Sequence, residues 1–199
     1  MKSQNATKTI YFAHYFGGTT GHWAGYCSTF DEIDFEKRDW IPKSGWPIKR
    51  ADLDDYYKRV HKNLDLGLYE YDWKYWQQQD PQLQSMFKND AIVWNKVWHF
   101  SPPTRFGIKY KNTIVNAKNI HLYAYANVVD ITANENVSSI NYVTTKNYTG
   151  KQHTFKAKHF VLACCSIQNA RLLLASNKQA PKGLGNDNDN VGRHFMEQC

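Results

Sequence analysis

Long hydrophobic runs are missing from this chain of 199 residues. No stretch approaches the roughly 18 consecutive apolar residues of a membrane-spanning helix. The N-terminal residues, MKSQNATKTIYFAHYF, contain no apolar core of the length found in signal peptides. The sequence therefore predicts a soluble chain without a transmembrane segment, and it leaves the cellular compartment unassigned.

Cysteine is also scarce, and its spacing excludes the usual metal sites. The four cysteines are Cys27, Cys164, Cys165 and Cys199. None belongs to a C-x-x-C pair or has a histidine at zinc-site spacing, so no metal is predicted. Cys164 and Cys165 lie in an apolar run, where free cysteine behaves as a small hydrophobe. We therefore expect buried thiols rather than a disulfide scaffold.

Clusters of basic residues are absent despite a formal net charge of +7. The 25 lysines and arginines are scattered among acids and aromatics. This scatter is typical of a solvated surface and not of a nucleic-acid interface. No nucleic-acid partner is predicted, and the positive balance favours anionic ligands mildly.

The most informative feature that is present is a glycine-rich segment, GGTTGHWAG, at residues 17–25. Glycines let a backbone approach a ligand closely, and consecutive loop N–H groups can bind an anion such as a pyrophosphate. A tight surface turn has the same composition, so both interpretations stay open. The apolar and aromatic residues 10–16 predict an extended segment leading into this loop.

Three helices are predicted. The first starts at Ala51 and stops at Gly67, and a short second one covers residues 106–115. The third begins with Ser166 as its cap and ends before Asn177. The apolar face of the first consists of Leu53, Tyr56, Tyr57, Val60 and Leu64, and that of the third of Ile167, Ala170, Leu173 and Leu174.

Extended segments account for much of the rest. Residues 92–100 alternate as a strand would, within an aromatic-rich stretch that suits either a core or the stacking of a sugar. Short β-rich segments predict an antiparallel meander, at residues 120–124, 127–132, 137–145 and 153–157. The continuous apolar run at 160–164 predicts a strand buried on both faces of a parallel sheet.

Six segments, in this order, resemble the glucose-methanol-choline family of FAD-dependent oxidoreductases. They read GGTTGHWAG, DFEKRDWIPKSGWPIKRADLDDYY, SPPTRFG, NVVDI, FVLACCSIQNARLLLAS and GNDNDNVGRHFME. The resemblance implies an α/β fold, with a partial Rossmann-like FAD-binding domain that contains the β-meander and part of an inserted α+β substrate domain. Residues 1–35 and 105–199 would belong to the FAD domain, and residues 36–104 to the substrate domain.

The resemblance also implies a reaction, in which an alcohol, sugar or sugar acid loses a hydride from its CH–OH carbon to FAD. The electron acceptor would be oxygen, a quinone or an acceptor protein. The implied cofactor-binding residues are Gly17, Gly18, Thr19, His22, Trp23, Ala24, Val128, Ala163 and Cys165.

Each of these residues has an implied place. Gly17 to Thr19 would pack on the pyrophosphate and ribityl chain, Trp23 and Ala24 would lie beside the isoalloxazine, and the backbone of Val128 would meet the adenine. Ala163 and Cys165 would belong to a second flavin-contacting strand and helix. His22 is either the covalent attachment point of the flavin or a histidine that only packs there.

The chain departs from the family pattern at several positions. Cys165 and Ser166 stand where relatives have glycine-like residues, and their side chains are expected to weaken FAD binding. Gln168 stands where an acid is common, and Gln198-Cys199 replaces a His-Pro pair.

Two parts of the family architecture are not found in the sequence. No G-x-G-x-x-G fingerprint precedes Gly17, and no histidine matches the motif of the catalytic base. No catalytic residue is therefore assigned, and the chain is expected to be an internal segment of a larger flavoenzyme, inactive alone. The alternative is a non-catalytic, basic and aromatic module that binds carbohydrate or nucleic acid.

Overall fold

The computed structural model describes residues 14–85 and 93–195 of the chain. These residues form two compact units, with the division between Ile120 and His121. Several predictions, namely those for residues 10–13 and 92 and for Cys199, lie outside the described residues. No helix in the described part of the chain is long and apolar enough to cross a bilayer.

The first unit contains mainly short helices and a small antiparallel sheet. Its elements are a 3-10 helix at Gly18–Gly21, β1 (Tyr26–Cys27), α1 (Glu32–Phe35), a 3-10 helix at Arg50–Leu53, α2 (Asp54–Leu64), α3 (Trp73–Gln79), β2 (His99–Phe100), α4 (Phe106–Lys109) and α5 (Lys111–Asn116). β1 and β2 pair with Tyr26 opposite Phe100 and Cys27 opposite His99. The predicted strand at 92–100 is thus confirmed only at its end, because β1 offers just two residues for pairing.

α2 confirms the first predicted helix, but both its end and its buried face differ from the prediction. The helix ends at Leu64, where Asp65 takes a left-handed conformation with φ 57° and the Leu66 N–H donates to the His61 carbonyl. Gly67, the predicted stop, lies three residues after Leu64. The predicted apolar face is wrong in part, since Val60 is 41% exposed and His61 is buried instead. The cause is a cluster of rings around His61, described below.

The second unit is a three-stranded antiparallel meander followed by a helix. The strands are β3 (Asn127–Ala133), β4 (Ile140–Lys146) and β5 (Gln152–Phe155), in that order across the sheet. The helix is α6 (Ser166–Ala175), which confirms the third predicted helix, although Cys165 and not Ser166 stands at its cap position. Three of the four predicted strands are therefore confirmed, and residues 120–124 form none.

The core of the second unit lies between the sheet and α6. It consists of Ile131, Ala133, Leu172 and Leu184. Ser176, which is 1% exposed, follows α6, and its hydroxyl oxygen accepts a hydrogen bond of 2.9 Å from the Ile131 N–H. The Leu184 N–H donates to the Leu173 carbonyl, which fixes the segment after α6 against the helix.

The predicted buried strand at residues 160–164 is wrong. No strand covers this run, and Val161 is 87% exposed. A continuous apolar run becomes a buried strand only where neighbouring strands bond to it, and none of the strands in the described residues does. The prediction of buried thiols fails for the same reason, because Cys164 and Cys165 are exposed; both are free, as is the half-buried Cys27.

Candidate functional site

The glycine-rich loop forms a tight turn that packs against the chain around residue 105. Gly17 has φ 96°, and the Gly18 N–H donates to the Tyr15 carbonyl at 2.8 Å. A Cβ on Gly17 would collide with the backbone of Gly107, and a Cβ on Gly107 would collide with the Phe16 carbonyl. Two glycines are therefore required where these two backbone segments meet.

Three hydrogen bonds fix the loop to residues 104–106, at the start of α4. The indole Nε1 of Trp23 donates to the Thr104 carbonyl at 3.0 Å. The Phe106 N–H donates to Thr20 Oγ1 at 3.2 Å, and Arg105 Nη1 donates to the Thr20 carbonyl at 3.3 Å. Because these partners lie more than eighty residues apart in sequence, the loop is positioned by tertiary contacts as well as by its own turn.

A pocket of about 370 Å³ opens between the loop and α4. Its lining combines aromatic rings, glycine backbone and one cation: Tyr15, Phe16, Gly17, Gly21, Arg105, Gly107 and Ile108. Ligand pockets usually measure about 300–1,000 Å³, so this one can hold a small molecule or one part of a larger one.

His22 follows the 3-10 helix of the loop directly and is exposed. Its Nε2 is 3.2 Å from the Tyr15 hydroxyl, and the two rings meet edge to face with 5.6 Å between centroids. Tyr15 therefore orients an imidazole that remains accessible to a ligand.

The structure brings together six of the nine predicted site residues and describes the other three in the second unit. Gly17, Gly18, Thr19, His22, Trp23 and Ala24 all belong to the one loop of the first unit. Thr19 and Ala24 are exposed, whereas Gly17, Gly18 and Trp23 are half-buried.

The three predicted site residues of the second unit differ in their surroundings. Val128 is half-buried in β3, opposite Thr145, and the pairing shifts register directly after it. Ala163 and Cys165 are exposed in the segment before α6. Cys165 has φ 69° and ψ 164°, a combination adopted almost only by glycine.

A second group of titratable side chains surrounds His61 in the first unit. His61 Nε2 is 2.9 Å from the Tyr71 hydroxyl, and the His99 ring lies 5.2 Å away between centroids. Burial lowers the pKa of His61 and raises that of Tyr71 to about 12. Burial, helped by a hydrogen bond to Asp54, likewise raises the pKa of Tyr69 to about 12. These shifts favour neutral side chains and a packing role for the group.

The sequence reasoning missed Arg105, Tyr15 and the role of Gly107. Arg105 and Gly107 stand in the segment SPPTRFG, which carried the family resemblance without a residue role. An arginine two residues before a glycine in such a segment is the signal that could have found them. Among the residues described, no group of three or more His, Cys, Asp or Glu side chains could hold a metal ion.

Comparison with known proteins gives a similarity to an oxidoreductase. The chain is 22% identical over 232 aligned residues to the 2-methyl-1,2-propanediol dehydrogenase of Mycolicibacterium austroafricanum. The alignment covers 94% of this chain but 41% of that dehydrogenase, so the chain spans about two-fifths of its relative's length. No family model matches the chain.

Proposed function

We propose that this chain is part of an FAD-dependent oxidoreductase of the glucose-methanol-choline type that acts on CH–OH donors. The observation that carries the proposal is the similarity to a dehydrogenase along 94% of the chain. That relative is named for a small diol, so an alcohol is the favoured donor, ahead of a sugar or sugar acid. The electron acceptor is a quinone, an acceptor protein or oxygen.

The backbone at Cys165 supports a cofactor contact in the second unit. The family resemblance places a glycine-like residue there, and the chain still adopts the glycine-type conformation, with φ 69° and ψ 164°. A cysteine in this conformation is strained by about 1–3 kcal/mol. The retained conformation fits a backbone shaped for close approach to a cofactor, while the exposed thiol adds bulk at that point.

The glycine-rich loop fits a cofactor less well than the segment at Cys165 does. Its glycines are already explained by contacts within the chain, since Gly17 meets Gly107 and Gly21 meets Tyr15. The faces that remain open to a cofactor belong to Thr19, His22 and Ala24, all exposed. We infer that the loop binds the flavin through this outer face.

FAD supplies the hydride acceptor for the alcohol carbon when it is bound. The roles of this chain are to bind and to orient. Tyr15 fixes the His22 ring through Nε2, and Trp23 fixes the loop through its bond to Thr104. No described side chain is assigned as the catalytic base.

A chimera tests the proposed activity. The matched segment of the Mycolicibacterium dehydrogenase is replaced by this chain, and the purified protein is mixed with 2-methyl-1,2-propanediol without oxygen. We expect the diol to bleach the flavin absorbance. A chimera that holds flavin but is not reduced by alcohols would contradict the proposed donor class.

The link to His22 is tested in the same chimera. Acid precipitation releases bound flavin unless it is attached covalently. Yellow colour that stays with the precipitate, and is lost in His22→Ala but kept in His14→Ala, supports covalent attachment at His22. Colour that washes away from the unaltered chimera shows that His22 only packs against the flavin.

A further inference from the structure

Arg105 is a half-buried cation in the wall of the pocket beside the glycine-rich loop. An arginine has five N–H donors and stays protonated in proteins. Within the described residues its guanidinium makes one hydrogen bond, to the Thr20 carbonyl, and no carboxylate lies within ion-pair distance. The positive charge is therefore not neutralised by the described part of the chain.

Asp65, which hydrogen-bonds to the residue before Arg105, already has other partners. Asp65 accepts a bond of 2.8 Å from Thr104 Oγ1, next to Arg105 in sequence. The same carboxylate forms an ion pair of 2.7 Å with Lys109, and these two contacts lower its pKa. Asp65 is thus held by Lys109 and Thr104, and Arg105 is left to face the pocket.

The pocket wall suits a compact anion. The residues that line it include no aspartate or glutamate. Gly17, Gly21 and Gly107 add no side chains to this wall, and the positions where their Cβ atoms would stand are filled by Gly107, Tyr15 and Phe16. The planar fork of an arginine can donate two parallel hydrogen bonds to a phosphate or a carboxylate.

We propose that the pocket between the glycine-rich loop and α4 binds an anionic oxygen group, phosphate or carboxylate, through the guanidinium of Arg105. The choice of candidate ligands rests on the proposed function. The anionic group would be the diphosphate of FAD or the carboxylate of an acidic substrate. In either case Arg105 determines ligand specificity by charge and by its fork geometry.

Calorimetric titration of the flavin-free chain tests this proposal with two probes, inorganic pyrophosphate and D-gluconate. We expect at least one to bind, more weakly as salt increases. Stronger binding of pyrophosphate points to the cofactor, and stronger binding of gluconate points to an acidic substrate. Failure of both probes to bind overturns the proposal.

Two substitutions and a matched control locate the binding. Arg105→Gln is expected to weaken binding about tenfold or more, because a hydrogen bond to a charged group contributes roughly a decade in affinity. Arg105→Lys keeps the charge without the fork and should retain part of the affinity. Arg59→Gln removes an exposed arginine that stacks on Tyr56 and should change nothing. Equal affinity in Arg105→Gln and the unaltered chain overturns the proposal.

A measurement on the unaltered chain covers the case in which these variants do not fold. Phenylglyoxal modifies accessible arginines, and mass spectrometry reports modification at each position. Pyrophosphate or gluconate should protect Arg105 but not Arg59, and equal protection of the two overturns the proposal. Neither readout uses flavin. Anion binding by this chain, together with a folded chimera that takes up no flavin, would therefore contradict the proposed function while upholding the role of Arg105.

Discussion

Cys165 has a backbone conformation that cysteine adopts at a cost. With φ 69° and ψ 164°, its Cβ is forced against the neighbouring backbone, and the residue occupies the cap position of α6 without a side-chain hydrogen bond to the helix. Glycine has no Cβ and takes this conformation freely. The strain therefore follows from the residue type and not from the path of the chain.

We expect Cys165→Gly to stabilise the chain. Relief of strain should exceed the entropy cost of glycine and raise the free energy of unfolding by about 1 kcal/mol, as measured by urea denaturation. Cys164→Gly is the matched control, since it removes the adjacent exposed thiol where no positive φ is found. A Cys165→Gly variant that is no more stable than Cys164→Gly would show that the backbone of Cys165 is not strained.

Gly107 shows the opposite case, in which glycine is needed for space. Gly107→Ala places a methyl group against the Phe16 carbonyl, and overpacking of this kind costs roughly 1–3 kcal/mol. Thermal unfolding should show a lower midpoint, while Ile108→Ala, which truncates a side chain that is 78% exposed, should leave the midpoint nearly unchanged. A similar small effect for both variants would show that the loop does not pack on α4 as described.

At the scale of elements, α2 is held by polar rings rather than by an apolar stripe. His61 of α2 contacts Tyr69, Tyr71 and His99 edge to face, with centroid distances of 5.0–5.5 Å. Its Nδ1 lies 3.4 Å from the Gly67 carbonyl. None of these neighbours is a carboxylate, so within the described residues no acid contacts His61 to compensate a proton on it.

This arrangement predicts that stability falls at acid pH. The pKa of folded His61 lies below its usual value of 6.5, chiefly because of burial. The unfolded chain then binds the proton more readily, so the contribution of neutral His61 is complete well above pH 6.5 and is lost progressively as the pH falls below that value. The midpoint of thermal unfolding should decrease as the pH is lowered below 6.5. The decrease should be less steep in His61→Gln.

His153→Gln is the control for this prediction, because His153 is exposed in β5. The unfolding midpoint of His153→Gln should depend on pH as steeply as that of the unaltered chain. An identical pH dependence in His61→Gln and the unaltered chain would show that His61 does not couple protonation to folding.

At the scale of the whole chain, local patterns predicted the elements whose partners are near in sequence. β3, β4 and β5 were found because each hairpin places adjacent strands together, and α2 because its spacing is local. The structure of the run at 160–164 was not predicted correctly, because a strand depends on neighbouring strands that the run itself does not specify. The pocket at Arg105 also escaped prediction, because it joins Tyr15 to residues some ninety positions later.

We have proposed that this chain binds FAD as part of an oxidoreductase. The most direct test is the visible absorption spectrum of the purified chimera described above, together with its circular dichroism spectrum as a check of folding. We expect a flavin spectrum with an equimolar amount of cofactor. A folded chimera that is colourless, and stays so after incubation with excess FAD, would contradict it.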